Sequence, residues 1–149
     1  MLAKQITPIL NVSNLKESFK WFEKLGWKKA WDWGDPPDFG SVSSGKCEIF
    51  LCLDGQGGRG RYDASMESGA EHADSVAMGS WVCILVDDVD EIHKRCLEQG
   101  IEVVWPPTDT PWFLREMRVR HPDGHVLRIG HGLEEDEDDH STHDENVNS

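Results

Sequence analysis

In the first third of the chain the apolar positions change rhythm from element to element. Leu15, Phe19, Phe22 and Leu25 recur at three- and four-residue intervals, the stripe of a one-faced helix. The runs ITPILNV before it and WKKAWDW after it are short, apolar and rich in β-branched or aromatic residues, which predicts strands. FGSVSSG and KCEIFLCL then meet around Gly45 as two strands of a hairpin. The second half repeats this order. WVCILV precedes a helical stripe of Val89, Ile92, Cys96 and Leu97, IEVVW follows it, and FLREMRVRHPDG turns at Gly124 into HVLRIG.

The repetition holds residue by residue. An offset of 74 positions superposes Val12 on Val86, Asn14 on Asp88, Glu17 on Glu91, Gly26 on Gly100, Trp31 on Trp105, Pro37 on Pro111 and Phe39 on Phe113. Asn14 with Glu17, and Asp88 with Glu91, have the spacing of a capping box at a helix start. Gly26 and Gly100 stand where a helix end needs a residue that tolerates positive φ. The predicted fold is therefore α+β: two tandem βαβββ modules forming a curved mixed sheet. Module one covers about 4–54 and module two about 80–132 of a single domain, 1–132, with a glycine-rich linker at about 55–79. A sheet with one helix-covered face leaves its other face open, and two such sheets make a cup that suits a ligand.

Charge adds a partner class. The net charge is −13, but residues 133–149 hold eight acids and no Lys or Arg, leaving 20 acids against 15 bases, or −5, for the body. That segment has little apolar surface to bury and is expected to be a disordered acidic tail. An acidic body disfavours nucleic acid and suits a cationic ligand. No stretch approaches the ~20 apolar residues of a membrane span, and MLAKQITPIL lacks the features of a signal peptide, so a cytoplasmic protein is expected. The four cysteines show no C-x-x-C spacing and read as reduced core residues. No Ser-His-Asp order, phosphate loop or dinucleotide fingerprint is present, so no catalytic residue is assigned.

Paired βαβββ modules ending in HPDGHVLRI resemble the vicinal oxygen chelate superfamily of glyoxalases, extradiol dioxygenases and bleomycin-resistance proteins. The likeness covers roughly residues 5–131. It implies a divalent metal held by His or Glu from the first and last strands of each module, a pattern that suits open coordination sites. The corresponding positions are Thr7, Trp81, Phe50 and Arg128, which make no metal site, and Glu48, two residues from Phe50, would not restore one. Neither metal nor other cofactor is therefore expected.

The segments DFGSV and PWFLREMRVRHPDGH most resemble the bleomycin-resistance branch. That likeness implies a homodimer sequestering a small cationic or aromatic ligand, with Phe39 and Trp112 clamping a planar group in a groove between protomers. The site residues expected on this reading are Trp33, Phe39, Glu48, Phe50, Trp112, Arg115 and Arg128. A metal-dependent lyase or dioxygenase remains the alternative. Strand alternation puts Arg118 and Arg120 on one face with Glu116 and Arg115 on the other with Met117 and Val119. Arg118 and Arg120 read as solvated, and Trp31 and Trp105, at matching repeat positions, read as core. The sequence assigns neither His121 nor His125 to a metal, because a Pro-Asp-Gly turn separates them.

Overall fold

A computed structural model of the chain describes residues 1–53 and 79–133. The expected linker and acidic tail lie outside the described residues. The element order is β1 (Ile9–Val12), α1 (Leu15–Leu25), β2 (Lys28–Gly34), β3 (Pro37–Ser44) and β4 (Cys47–Leu53), then β5 (Trp81–Leu85), α2 (Val89–Gln99), β6 (Val103–Asp109), β7 (Leu114–Arg120) and β8 (Val126–Gly132). Each half is a βαβββ module, as the repeat predicts. The sheets run β1-β4-β3-β2 and β5-β8-β7-β6, with β1 parallel to β4, β5 parallel to β8 and the remaining pairs antiparallel. No described helix is long and apolar enough to cross a membrane.

Local signals start and stop the helices where the sequence places them. Asn14 Oδ1 accepts the Glu17 amide at 3.0 Å, and Asp88 Oδ1 accepts the Asp90 and Glu91 amides at 3.0 and 3.4 Å, so free donors at both first turns are satisfied. His131 adds a partner at the second helix start, its Nδ1 accepting the Val89 amide at 2.9 Å. At the first helix end Gly26 sits at φ 106°, and Trp27 N–H reaches back to the Phe22 carbonyl.

Both helices bury their stripes in one core. Phe19, Phe22, Val42 and Leu51 from the first module join Val89, Cys96, Met117, Leu127 and Ile129 from the second in a single cluster. Gly40 permits close approach on β3: a Cβ there would lie 2.4 Å from the Phe19 ring. Leu97 departs from the expected stripe and is exposed, because the wider apolar face of α2 is not all used. Since the helix-facing sides of both sheets meet in this core, their other sides turn away from it.

The turn His121–His125 joins the modules. His125 Nε2–H donates to the Asn11 carbonyl at 2.6 Å, and His121 Nε2–H to Ser18 Oγ at 2.8 Å. The tautomers follow from the other ring nitrogens, since Nδ1 of His125 accepts Ser80 N–H and Nδ1 of His121 accepts Asp123 N–H, both at 3.0 Å. Asp123 Oδ2 takes the Ser13 amide at 2.9 Å. Trp21 packs edge-on against His121 with ring centres 4.9 Å apart, so this helix-flank residue is packing within the chain. From the other side, Arg95 on α2 donates to the last carbonyls of α1, Lys24 at 2.8 Å and Glu23 at 3.2 Å.

Three expectations are corrected by the strand register. Of the cysteines only Cys96 is buried among the core residues; Cys83 is exposed and Cys52 half-buried because their strand positions point away from the helices, and Cys47, on the core-facing side, is exposed because it opens β4. Trp31 and Trp105 also lie on the uncovered faces and outside the core cluster. Arg118 is half-buried, drawn down by a carboxylate and by indole rings.

Candidate ligand-binding faces

The uncovered face of the first module is an aromatic platform. Alternation along β4 sends Ile49 and Leu51 into the core and Phe50 to the open side. Phe50 pairs in register with Ser41, and Ser41 with Trp31 on the next strand; Phe39 pairs with Trp33. The rings meet as a triangle: Trp31 and Phe39 stack at 5.7 Å, and each meets Phe50 edge-on at 5.4 Å. Trp33 stands at the rim, 70 % exposed. Glu48 lies two residues along the same strand face, where its carboxylate accepts a 2.5 Å bond from Ser41 Oγ. This face presents flat apolar rings and one acid.

The uncovered face of the second module has the opposite character. Strand β5 exposes Trp81, Cys83 and Leu85 in alternation. Register then carries the face from Cys83 to Arg128 on β8, to Arg118 on β7 and to Trp105 on β6. Beneath the two guanidiniums lies Glu116, with 2 % of its surface exposed. Arg128 grips it with two bonds, Nε to Oε2 at 3.1 Å and Nη2 to Oε1 at 3.0 Å, and Arg118 Nε adds a third at 3.1 Å. Gly130, opposite Glu116 in the ladder, adds no side chain above the acid. Burial works to raise the Glu116 pKa, but the hydrogen bonds from Arg128 and Arg118 outweigh it and hold the carboxyl below its ordinary range. The same bonds raise the pKa of Arg128. Arg118 lies between two indoles, its guanidinium carbon 4.5 Å from the Trp105 ring centre and 5.2 Å from that of Trp81.

Of the residues expected at the site, Trp33, Phe39, Glu48 and Phe50 share the first face, and Arg128 lies on the second. Arg115 is on the helix side, as its alternation with Glu116 requires. It donates to Asp90 at the start of α2 and to Asp109, bonds that raise its own pKa and lower that of Asp90. Trp112 is exposed on the loop between β6 and β7, beside Phe113 at φ 62°, and belongs to neither strand face. Trp81, Trp105 and Arg118 complete the second face and were not singled out as ligand contacts. The alternation of WVCIL and REMRVR carried the signal, but not which side a helix would cover.

The strand positions that face one another on the open sides do not fit a divalent metal. Ile9 pairs with Phe50, and Cys83 with Arg128. One thiol among apolar and cationic groups is no oxygen- or imidazole-rich donor set. Among the described residues no three His, Cys, Asp or Glu side chains gather as a metal site.

Comparison with solved structures places the same architecture in several proteins. TioX from Micromonospora sp. ML1 matches with a TM-score of 0.67 at 19 % identity, over 88 % of this chain and 100 % of its own. A bleomycin-binding protein solved with bleomycin matches with a TM-score of 0.64 at 18 % identity, over 89 % and 100 %. A bleomycin resistance determinant encoded on the transposon Tn5 gives 0.65 at 17 % identity, over 87 % and 98 %. At these identities the likeness speaks for the fold alone. Comparison with curated protein sequences gives no match. The sequence profile of the Glyoxalase/Bleomycin resistance protein/Dioxygenase superfamily matches residues 4–129, nearly all of the described body, and the chain belongs to that superfamily.

Proposed function

We propose that this chain is a small-molecule binding protein of the glyoxalase/bleomycin-resistance type, which sequesters a flat aromatic ligand without a metal and without breaking a bond. The carrying observation is the platform of Trp31, Phe39 and Phe50 with Trp33 at its rim, on a sheet face that neither described helix covers. Stacking on such rings contributes about 0.5–1.5 kcal/mol per pair beyond burial, and Glu48 beside them favours a cationic substituent. Bleomycin, bound by one of the structural relatives, is the first candidate.

The protein works as a homodimer on this reading, each open face being closed over by a second copy. Exposed apolar residues support this: Ile9 and Trp33 on the first open face, and Trp81 and Leu85 on the second, are all more than half exposed, and apolar exposure gathered on one face suits an interaction surface. Titration with bleomycin followed by tryptophan fluorescence tests the proposal, with sedimentation measured in parallel. Saturable quenching at one ligand per protomer of a dimer is expected, weakened roughly tenfold by Trp33→Ala, whose exposed side chain the fold does not need. Absence of quenching by bleomycin removes the antibiotic assignment. Absence of quenching by any planar aromatic compound removes the proposal.

A further inference from the structure

The geometry points to a second subsite: we propose that Arg118 and Arg128, held over Glu116 between Trp81 and Trp105, receive a carboxylate carried by the aromatic ligand. This deepens the reading above and rests on it, since the ligand's ring system is taken to lie on the open faces.

Charge balance carries the argument. Arg128 alone already meets both oxygens of Glu116 in the bidentate arrangement that guanidinium and carboxylate favour. Arg118 adds a second positive charge against the same single acid, leaving the group at +1 in a chain whose body is otherwise acidic. A guanidinium has five N–H donors. Among the described residues, Nη1 and Nη2 of Arg118 and Nη1 of Arg128 donate to no protein acceptor, and both side chains reach the open face. The rings of Trp81 and Trp105 hold the Arg118 guanidinium from both sides, so its donors are oriented before a ligand arrives. Arg128 is steadied in the same way, 5.7 Å from the Trp81 ring centre. A planar oxyanion attached to a flat ring matches both features at once, taking the open donors with its oxygens and the exposed Trp81 indole with its ring.

The test uses the intact protein and three probes of one shape: 2-naphthoate, 2-naphthamide and 2-naphthylmethylammonium, titrated by calorimetry at low salt. The proposal expects naphthoate to bind about tenfold more tightly than the amide and that preference to shrink as NaCl is raised, while the ammonium, which Glu48 on the first face favours, serves as the control for that acid. Arg118→Met removes the surplus charge while leaving the Arg128–Glu116 pair intact, and should level naphthoate with the amide. Should Arg118→Met fail to fold, the order of naphthoate and the amide on the natural sequence still decides. Equal affinity of naphthoate and the amide overturns the carboxylate subsite and leaves the aromatic reading standing. No binding of any naphthyl probe overturns both. If naphthoate shows no preference while a charge-reversing Arg128→Glu converts dimer to monomer, the face belongs to a second copy and the subsite is overturned.

Discussion

His121 and His125 illustrate how a sequence motif that looks like metal chemistry works instead as a joint. Each ring accepts a backbone amide at Nδ1 and donates from Nε2 across to the first module, so each is useful only while neutral. Burial pushes the His121 pKa down to about 4, with the neighbouring His125 ring adding to the shift, and burial lowers that of His125 as well. The unfolded chain, with ordinary histidine pKa values near 6.5, binds more protons than the folded one between those limits. Stability from His121 is therefore complete above about pH 6.5 and lost as pH falls towards 4, a contribution on the order of 3 kcal/mol. Urea unfolding midpoints should fall steeply between pH 6.5 and 4.5. In His121→Gln the protein should be weaker at pH 7.5 and its slope through this window shallower; an unchanged slope would show that the joint does not titrate.

At the scale of elements, the helices were legible because local chemistry determines them. Asn14 and Asp88 cap as their spacing predicts, and Gly26 and Gly100 end the helices in the left-handed region. Loss of either cap to alanine should cost about 1 kcal/mol, a fall of roughly 2–4 °C in Tm for a chain of this size, measured by circular dichroism. The Asp88→Ala loss should be the smaller where His131 continues to hold the Val89 amide. Strand faces were legible in their alternation but not in their direction. Glu116 and Arg118 were placed together from REMRVR alone, whereas that Trp31 and Trp105 would face outward depended on which side α1 and α2 cover. The positions of Cys52 and Cys83 failed for that reason too, whereas Cys47 faces the core side and is exposed as the first residue of β4. A small apolar residue in a strand is buried only if its side of the sheet is the covered one.

Over the whole molecule the two modules share one interior, and the contacts across it predict that they unfold together. Phe22 packs with Trp21, Trp27 and, across the boundary, His121, while Arg95 closes the end of α1 from α2. Cys96 reports on the second module from inside this interior. It has no exposed surface, and burial raises its thiol pKa to about 11, so thiolate and access are both withheld in the folded state. Trp21 and Trp27 report on the first module, both buried. A thiol reagent should label Cys47 and Cys83 in the native protein and leave Cys96 untouched. With Cys47, Cys52 and Cys83 replaced by serine, labelling of Cys96 should begin at the same urea concentration at which tryptophan emission shifts to the red. Coincidence of the two transitions identifies one cooperative unit. Labelling of Cys96 at lower urea, with the emission still native, would mean that the second module opens first and that the histidine joint contributes little to holding the halves together.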